Sequence, residues 1–240
     1  MNAKPQDPVE FAEKTREISR HYRLAPLLHT LGVHVVSIDE MTGIQALERL
    51  HALLPMKPGL VERREFEYIR HGTLSLISGL AVALGKIVSS TMAPTRDEND
   101  FAAYIEQLIE SDPQAEWVLI VDGLNTHQSE SLVRLVARHC ELDDTLGQKG
   151  KSGVLARQAS RASFLADPSH RIRFVYTPKH CSWLNMIELW FSILVRRLLK
   201  RGNFKSTLDL QKQIFQFIEY FNATMAKPFK WAYKGKALSV

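Results

Sequence analysis

The sequence predicts an α/β domain in which a mixed sheet is flanked by helices. Three observations predict it: apolar runs that end at acidic residues, amphipathic helical patterns between the later runs, and an early group of strand candidates with no helix between them. An initial meander followed by alternating strands and helices is typical of a layered α/β domain. Ligand-binding side chains in such sheets gather where strands end.

The first half of the chain contains three strand candidates. Residues 1–32 are predicted to be a polar, partly helical lead-in. Residues 33–38 are β-branched and largely apolar, as in a buried strand, and this strand is expected to end at Asp39. Residues 74–82 and 86–92 follow as the other two strands of the meander.

The second half alternates between helix and strand. An apolar face through Phe101 and Leu108 predicts a helix, the apolar run 117–121 predicts a strand closed by Asp122, and residues 132–139 predict another helix. Residues 140–168 are polar and glycine-punctuated, which indicates an insertion with a short helix near 155–165. The last strand is expected at 172–176, directly after this insertion.

Two helices are predicted at the end of the chain. The first runs from about Ser182 to Arg201, and the second begins at a capping box of Ser206 and Asp209. We therefore expect one main domain over residues 33–224 and a basic tail over 225–240.

Composition limits the class of protein. The 240 residues include 31 Lys and Arg against 26 Asp and Glu, a net charge of +5, which favours a polyanionic partner such as nucleic acid without identifying one. Two cysteines are too few for a disulfide framework. Neither a secretory signal nor an apolar run long enough to span a membrane is present, so a cytoplasmic protein without a membrane partner is expected.

Three carboxylates are the candidates for chemistry. Asp39 and Asp122 each follow an apolar strand, and Glu188 is the single charged residue in the apolar segment 183–195. On a helical wheel Glu188 lies beside the core stripe, in a polar line with Asn185. Burying an unpaired carboxylate costs several kcal/mol, so Glu188 is expected either to pair with a base or an N–H group or to bind a cation.

Clustering of the three acids would favour a divalent metal site. Carboxylates held close together repel one another unless a cation lies between them, and Mg²⁺ and Mn²⁺ prefer such hard oxygen ligands. Two such ions can activate an attacking oxygen and stabilise the leaving oxygen of a phosphodiester.

Other polar side chains are candidates for DNA contact. Basic residues favour phosphate contacts, although a helix C-terminus also attracts them through its dipole. For His127, which follows Asn125 closely, a place in a turn is the alternative. The candidates are His127, His180, Asn185, Arg196, Arg197, Lys200 and Arg201.

Three segments carry a resemblance to a known family. Residues 37–47, 121–127 and 177–191 resemble the three acidic motifs of DDE-type transposases of the mariner superfamily, in its bacterial insertion-sequence branch. The resemblance implies a ribonuclease H-like fold, with DNA strand cleavage and strand transfer into a target that usually contains TA. It also implies that Asp39, Asp122 and Glu188 ligate Mg²⁺ or Mn²⁺, two ions when DNA is bound.

Some features depart from the family pattern. Gly123 and Met186 stand where many relatives have Asn and Gln, and 32 leading residues are too few for the helix-turn-helix domains that recognise element ends. The expected partners are therefore element-end and target DNA, a second copy in a homodimer, and a separate helix-turn-helix polypeptide, in the bacterial cytoplasm near the nucleoid. Two alternatives are a catalytically silent remnant that binds DNA or oligomerises, and a ribonuclease H-like nuclease that hydrolyses without joining.

Overall fold

A five-stranded sheet forms the centre of the molecule. The computed structural model describes residues 7–51, 56–61, 67–142 and 145–233, and the strands lie in the order β3-β2-β1-β4-β5. The strands are β1 (Val33–Arg49), β2 (Tyr68–Ala81), β3 (Lys86–Ala93), β4 (Glu116–Val121) and β5 (Ile172–Tyr176). The helices are α1 (Pro8–Thr30), α2 (Glu98–Glu110), α3 (Glu130–His139), α4 (Gln158–Leu165), α5 (Ile187–Leu194) and α6 (Thr207–Thr224).

The sheet is mixed, as the sequence predicts. β1 pairs antiparallel with β2 and β2 antiparallel with β3, whereas β4 lies parallel to β1 and β5 parallel to β4. A meander therefore leads into a parallel half, in which helices supply the crossovers. The predicted fold class, a mixed sheet flanked by helices, is confirmed.

Each face of the sheet is covered by its own hydrophobic core. Along β4, Val118 and Ile120 pack into one core with α1, α5 and α6, while Trp117, Leu119 and Val121 pack into the other core with α2, α3 and α4. Successive side chains of a strand point to opposite faces, so residue parity assigns each position of a regular strand segment to one core. Both faces of the parallel half are buried, which explains its continuous apolar sequence.

The described parts of both chain ends pack against the domain. Asp7 caps α1 by accepting hydrogen bonds from the backbone N–H groups of Val9 (2.8 Å) and Glu10 (3.1 Å). Tyr22 of α1 is buried in the core, and the ring of Trp231 lies against it with 4.6 Å between centroids. Boundaries near residues 32 and 225 stay predictions, and residues 234–240 lie outside the described residues.

The first strand is longer than predicted. It does not end at Asp39, because pairing with β2 continues from the Asp39–Ser78 pair to the Arg49–Tyr68 pair. Only the parallel pairing with β4 stops early, at Ser37 and Ile120. Asp39 therefore lies within β1, at the point where its partner strand β4 ends.

The predicted helix over 182–201 is also corrected. It is divided into a 3₁₀ turn at Ser182–Leu184, the α-helix α5, and a π-helical turn at Val195–Leu199 in which Lys200 N–H donates to Val195 O (2.8 Å). Asn185 interrupts the first part with an extended backbone (φ −82°, ψ 110°). The helical wheel, which put Asn185 in a polar line with Glu188, was therefore wrong at Asn185, because this residue lies before the helix and is buried.

Residues 140–168 contribute to the core. Within their described part, a 3₁₀ turn at Val154–Ala156 and helix α4 bury Leu155 and Leu165 completely against the core of α2 and α3. The short helix predicted near 155–165 is present, and it covers one face of the parallel half of the sheet. Among the described helices, none combines the length and apolar character needed to cross a bilayer.

Candidate metal centre

Strand register brings the two aspartates together. Val33 pairs with Glu116 and Ser37 with Ile120, so the same offset carried two residues further sets Asp39 level with Asp122 on the neighbouring parallel strand. By parity, both side chains belong to the face covered by α5. The sequence prediction that the two acids lie side by side is therefore supported, although Asp39 lies inside a strand.

A buried hydrogen-bond network ties the start of α5 to β1. Asn185 is 1% exposed, and its Nδ2 donates to Ile38 O (2.8 Å) and to Asp39 Oδ2 (3.1 Å). Ser37 Oγ donates to Asn185 Oδ1 and accepts from Ile187 N–H (3.0 Å). Each polar group in this network is satisfied by a neighbour, so the network fixes α5 relative to Asp39.

Tyr22 completes this attachment from α1. Its hydroxyl donates to Leu184 O (2.9 Å) and accepts from Met186 N–H (3.0 Å). The two backbone groups belong to the turn that precedes α5, where no helical partner is available. The hydroxyl therefore replaces a missing backbone partner at the helix start.

Glu188 lies in the first turn of α5, partly exposed. Its backbone N–H donates to Asn185 O (3.1 Å), so the network that holds Asn185 also sets the height of Glu188 above the sheet. The alternative that Glu188 pairs with a base is not seen: no side chain in the described part of the chain forms an ion pair with it.

His127 lies behind Asp122, on the side away from solvent. Its Nδ1 is 2.7 Å from Asp122 Oδ1, and its Nε2 is 3.6 Å from Oε1 of Glu40, a buried carboxylate that pairs with Arg96. The ring of His127 is completely buried and lies 4.1 Å from Phe101 between centroids. Both His127 and Asn185 are buried, so neither ring nor amide is at the surface, and their predicted contact with DNA stays a prediction.

Electrostatics differ sharply between the two aspartates. Burial, followed by the charges of Asp122 and Glu188, raises the pKa of Asp39 from 3.8 to about 7. Burial would also raise the pKa of Asp122, but the hydrogen bond and charge of His127 outweigh it and hold this pKa below 3.8. Burial raises the pKa of Glu188 as well. Repulsion from the other two carboxylates therefore adds to burial in raising the pKa of Asp39.

The donor set fits a divalent cation. Three carboxylates are the hard ligands that Mg²⁺ and Mn²⁺ prefer, and a cation among them would remove the repulsion that raises the Asp39 pKa. As the side chains stand, no three His, Cys, Asp or Glu residues of the described ranges are close enough to enclose an ion. Mutual repulsion is the physical reason for carboxylates to stay apart without a cation.

Most predicted DNA contacts are exposed. His180 lies in the turn before α5 with a positive φ of 60°, and the basic side chains lie beyond α5. Arg196, Arg197 and Arg201 line an open cleft of about 590 Å³ with Ile193 and Met225. Contact of DNA with His180 and with the basic residues Arg196, Arg197, Lys200 and Arg201 stays a prediction.

Sequence reasoning missed the residues that support the acids. They are Tyr22, Ser37, Glu40 and Arg96. One signal was available, because Ser37 precedes Asp39 by two residues in an apolar strand and must therefore share its face. Tyr22 and Arg96 could not be found this way, since they meet the site only through the tertiary fold.

The pKa of Asp39 leads to a testable pH dependence. The folded chain holds this proton more tightly than the unfolded chain, so its stabilising effect is complete below about pH 4 and is lost as pH rises through about 7. We expect Asp39→Asn to lose less stability than the wild type between about pH 5 and about pH 8. Urea unfolding in EDTA measures this; equal losses in both proteins would contradict it.

Comparisons with known proteins bear on the family and the fold of the chain. Residues 34–211 match the family described as DDE superfamily endonuclease. No curated protein sequence matches the chain.

Solved structures of the Mos1 mariner transposase have the same fold. The catalytic domain of Mos1 superposes with a TM-score of 0.53 at 8% identity, over 91% of this chain and 85% of that one. A Mos1 paired-end complex with the left transposon end gives 0.52 at 8% identity, over 91% and 57%. The paired-end complex with Mn gives 0.51 at 9% identity, over 90% of this chain and 56% of that one, so the chain spans little more than half of that transposase.

At this identity the likeness shows the fold alone, which is ribonuclease H-like as the resemblance implied. The family match is independent of the superposition and covers well over half of the chain. The chain therefore belongs to the DDE superfamily endonucleases.

Proposed function

We propose that this chain is a transposase catalytic domain that cuts DNA strands and joins them to a target, with Asp39, Asp122 and Glu188 holding Mg²⁺ or Mn²⁺. One observation carries the proposal: register sets Asp39 level with Asp122, and the Asn185 side chain ties the helix of Glu188 to Asp39. The family match supports it.

The side chains of the site have different roles in the proposed reaction. When bound, one or two divalent ions would activate the attacking oxygen and stabilise the leaving oxygen of the phosphodiester. The three carboxylates bind and neutralise the ions. Asn185 orients Oδ2 of Asp39, and His127 orients Oδ1 of Asp122. Supporting hydrogen bonds of this kind fix ligand rotamers before the ion arrives.

Departures from the family pattern do not disturb this arrangement. Met186 is buried in the core, and its side chain does not contribute a donor to the acids. A Cβ on Gly123 would have ordinary contact distance, 3.8 Å from Gln128 Nε2, so the glycine does not mark a crowded or distorted site. These findings favour an active domain over a silent remnant.

Further details belong to the same proposal. The described residues are occupied by the sheet and its flanking helices, so recognition of element ends would require another module, for which we propose a helix-turn-helix polypeptide. The proposal also includes a homodimer and a target that contains TA. It places the chain in the bacterial insertion-sequence branch and in the cytoplasm, associated with the nucleoid. Two of the similar Mos1 structures are paired-end complexes of that transposase, one of them with the left transposon end, which supports DNA as the partner.

Metal binding tests the site without knowledge of the DNA ends. Titration calorimetry with Mn²⁺ is expected to show binding to the wild type, and Asp39→Asn, Asp122→Asn and Glu188→Gln are each expected to weaken it about tenfold or more, because each removes one anionic ligand. The exposed Glu219 on α6 provides the matched control, and Glu219→Gln is expected to bind as the wild type does.

The comparison of affinities requires that each variant is folded, and circular dichroism of each protein establishes this. Equal Mn²⁺ affinity in the wild type and all three site variants would exclude a shared metal site and would favour the silent DNA-binding remnant.

A further inference from the structure

A second cationic cleft lies on the molecule away from the three acids. Its volume is about 550 Å³, and it is formed between α1 and the first residues of β4 and β5. Four arginines line it: Arg16, Arg20, Arg171 and Arg173. The proposed reaction does not use any of them.

The positive charge of this cleft is only partly compensated by acidic side chains. Glu17 and Glu116 also line it, yet in the described ranges none of the four arginines forms an ion pair. Arg16 and Arg20 are exposed and lie one helical turn apart on α1. Guanidinium groups held together in excess over acidic groups repel one another, and an anion in the cleft would reduce that repulsion.

Two of the arginines are held in place by the fold. Arg171 donates to Ala115 O (2.7 Å) and to His139 O (2.9 Å), and Arg173 donates to His21 Nε2 (3.0 Å). Side chains fixed in this way lose little conformational freedom when they bind a ligand. The floor of the cleft is therefore preorganised, while Arg16 and Arg20 remain free to reach outwards.

His21 supplies an unused hydrogen-bond donor. Because Nε2 accepts from Arg173, the proton of the neutral ring is on Nδ1. His21 lines the cleft and is 8% exposed, and among the described residues its Nδ1 has no hydrogen-bond partner. Burial, Arg173 and Arg20 lower the pKa of His21 to about 4, so the ring is neutral near pH 7. A buried donor without an acceptor is costly unless a ligand or water meets it.

The position of the cleft separates it from the catalytic edge. Glu116 and Trp117 begin β4, whereas Asp122 directly follows its end, and six residues of strand span roughly 20 Å. A DNA segment in the cleft is therefore distinct from the segment being cut. DNA is the polyanion that the proposed function already brings to the protein.

We propose that this cleft binds the phosphate backbone of a second DNA segment, through Arg16, Arg20 and the fixed arginines Arg171 and Arg173. The inference rests on the proposed function for the identity of the polyanion. Backbone contacts of this kind carry no sequence information, so the cleft would hold flanking or target DNA regardless of its sequence.

Salt dependence of DNA binding tests the cleft. Binding of a labelled duplex in EDTA is measured by fluorescence anisotropy at several salt concentrations for the wild type and for Arg16→Ala/Arg20→Ala. The slope of log K against log salt is expected to become shallower by about 2, because each lost phosphate contact removes about 0.9. Lys14→Ala/Arg23→Ala removes the same charge from the same helix outside the cleft and is expected to leave the slope close to that of the wild type.

The outcomes separate this inference from the proposed function. If both double variants change the slope equally, the cleft does not hold DNA, whatever the chain catalyses. If only Arg16→Ala/Arg20→Ala changes it, the cleft binds DNA even where Mn²⁺-dependent nicking, assayed in parallel on the wild type and Asp122→Asn, is absent. All substituted residues are at least partly exposed on α1, so alanine is expected to preserve the helix.

Discussion

Asp122→Asn is expected to reduce Mn²⁺-dependent nicking and joining of DNA by about a thousandfold or more. Asp122 is the acid whose pKa lies below its ordinary value, so it is ionised near pH 7. Replacing it removes a full charge from the ligand set and leaves His127 Nδ1 facing a neutral amide. Several kcal/mol of transition-state stabilisation come from such a site, and about 4 kcal/mol corresponds to a thousandfold.

The assay needs two readouts and one control. A duplex with a pre-cut 3′-hydroxyl and a supercoiled target reports joining, while a nicked-plasmid assay reports cleavage. Glu219→Gln should retain both activities, and Asp122→Asn should retain its fold and its DNA binding in EDTA. Unchanged nicking in folded Asp122→Asn would overturn the assignment of the site. Cleavage without joining in the wild type would indicate a nuclease of the same fold.

Periodicity predicted the elements of this fold well, because each depends on local sequence. The apolar runs that became β4 and β5 and the amphipathic faces of α2, α3 and α6 can be read from spacing alone. The extension of β1 beyond Asp39 could not be predicted, since Glu40, Met41 and Gln45 do not belong to an apolar run and pair only because β2 lies beside them. The end of a strand depends on how far its partner strand continues beside it, and this pairing cannot be predicted from local sequence.

In the candidate site, too, some residues could be predicted from local sequence and others could not. Asp39, Asp122 and Glu188 could be predicted because each carboxylate stands out against an apolar surrounding. Glu40 follows Asp39 directly in the sequence, and parity within β1 places its side chain on the opposite face, towards Arg96 and His127. Asn185 was placed on a helical wheel, yet it lies before the helix. The roles of these residues come from tertiary contacts between segments distant in sequence.

Asn185→Ala is expected to reduce Mn²⁺-dependent nicking by about ten- to a hundredfold, the usual cost of removing a side chain that orients a metal ligand. Its amide donates to Asp39 Oδ2 and to Ile38 O, and its carbonyl accepts from Ser37 Oγ. Alanine leaves these buried groups without partners, so a loss of about 1–3 kcal/mol in the free energy of unfolding is also expected. Nicking rates and urea unfolding of the same preparations measure both effects.

Tyr22→Phe separates a positioning role from a loss of stability. The Tyr22 hydroxyl binds Leu184 O and Met186 N–H at the start of the same helix and lies 3.5 Å from Ser37 Oγ, but the structure gives it no hydrogen bond to Asp39. Its removal is expected to destabilise the fold by a similar amount, about 1–3 kcal/mol, because it too leaves buried backbone groups unsatisfied. If Asn185 acts by orienting Asp39, Tyr22→Phe keeps a nicking rate and Mn²⁺ affinity near those of the wild type while Asn185→Ala loses both. Equal losses of activity in the two variants would show instead that the network acts only through the stability of α5, and that the orientation of Asp39 does not depend on Asn185.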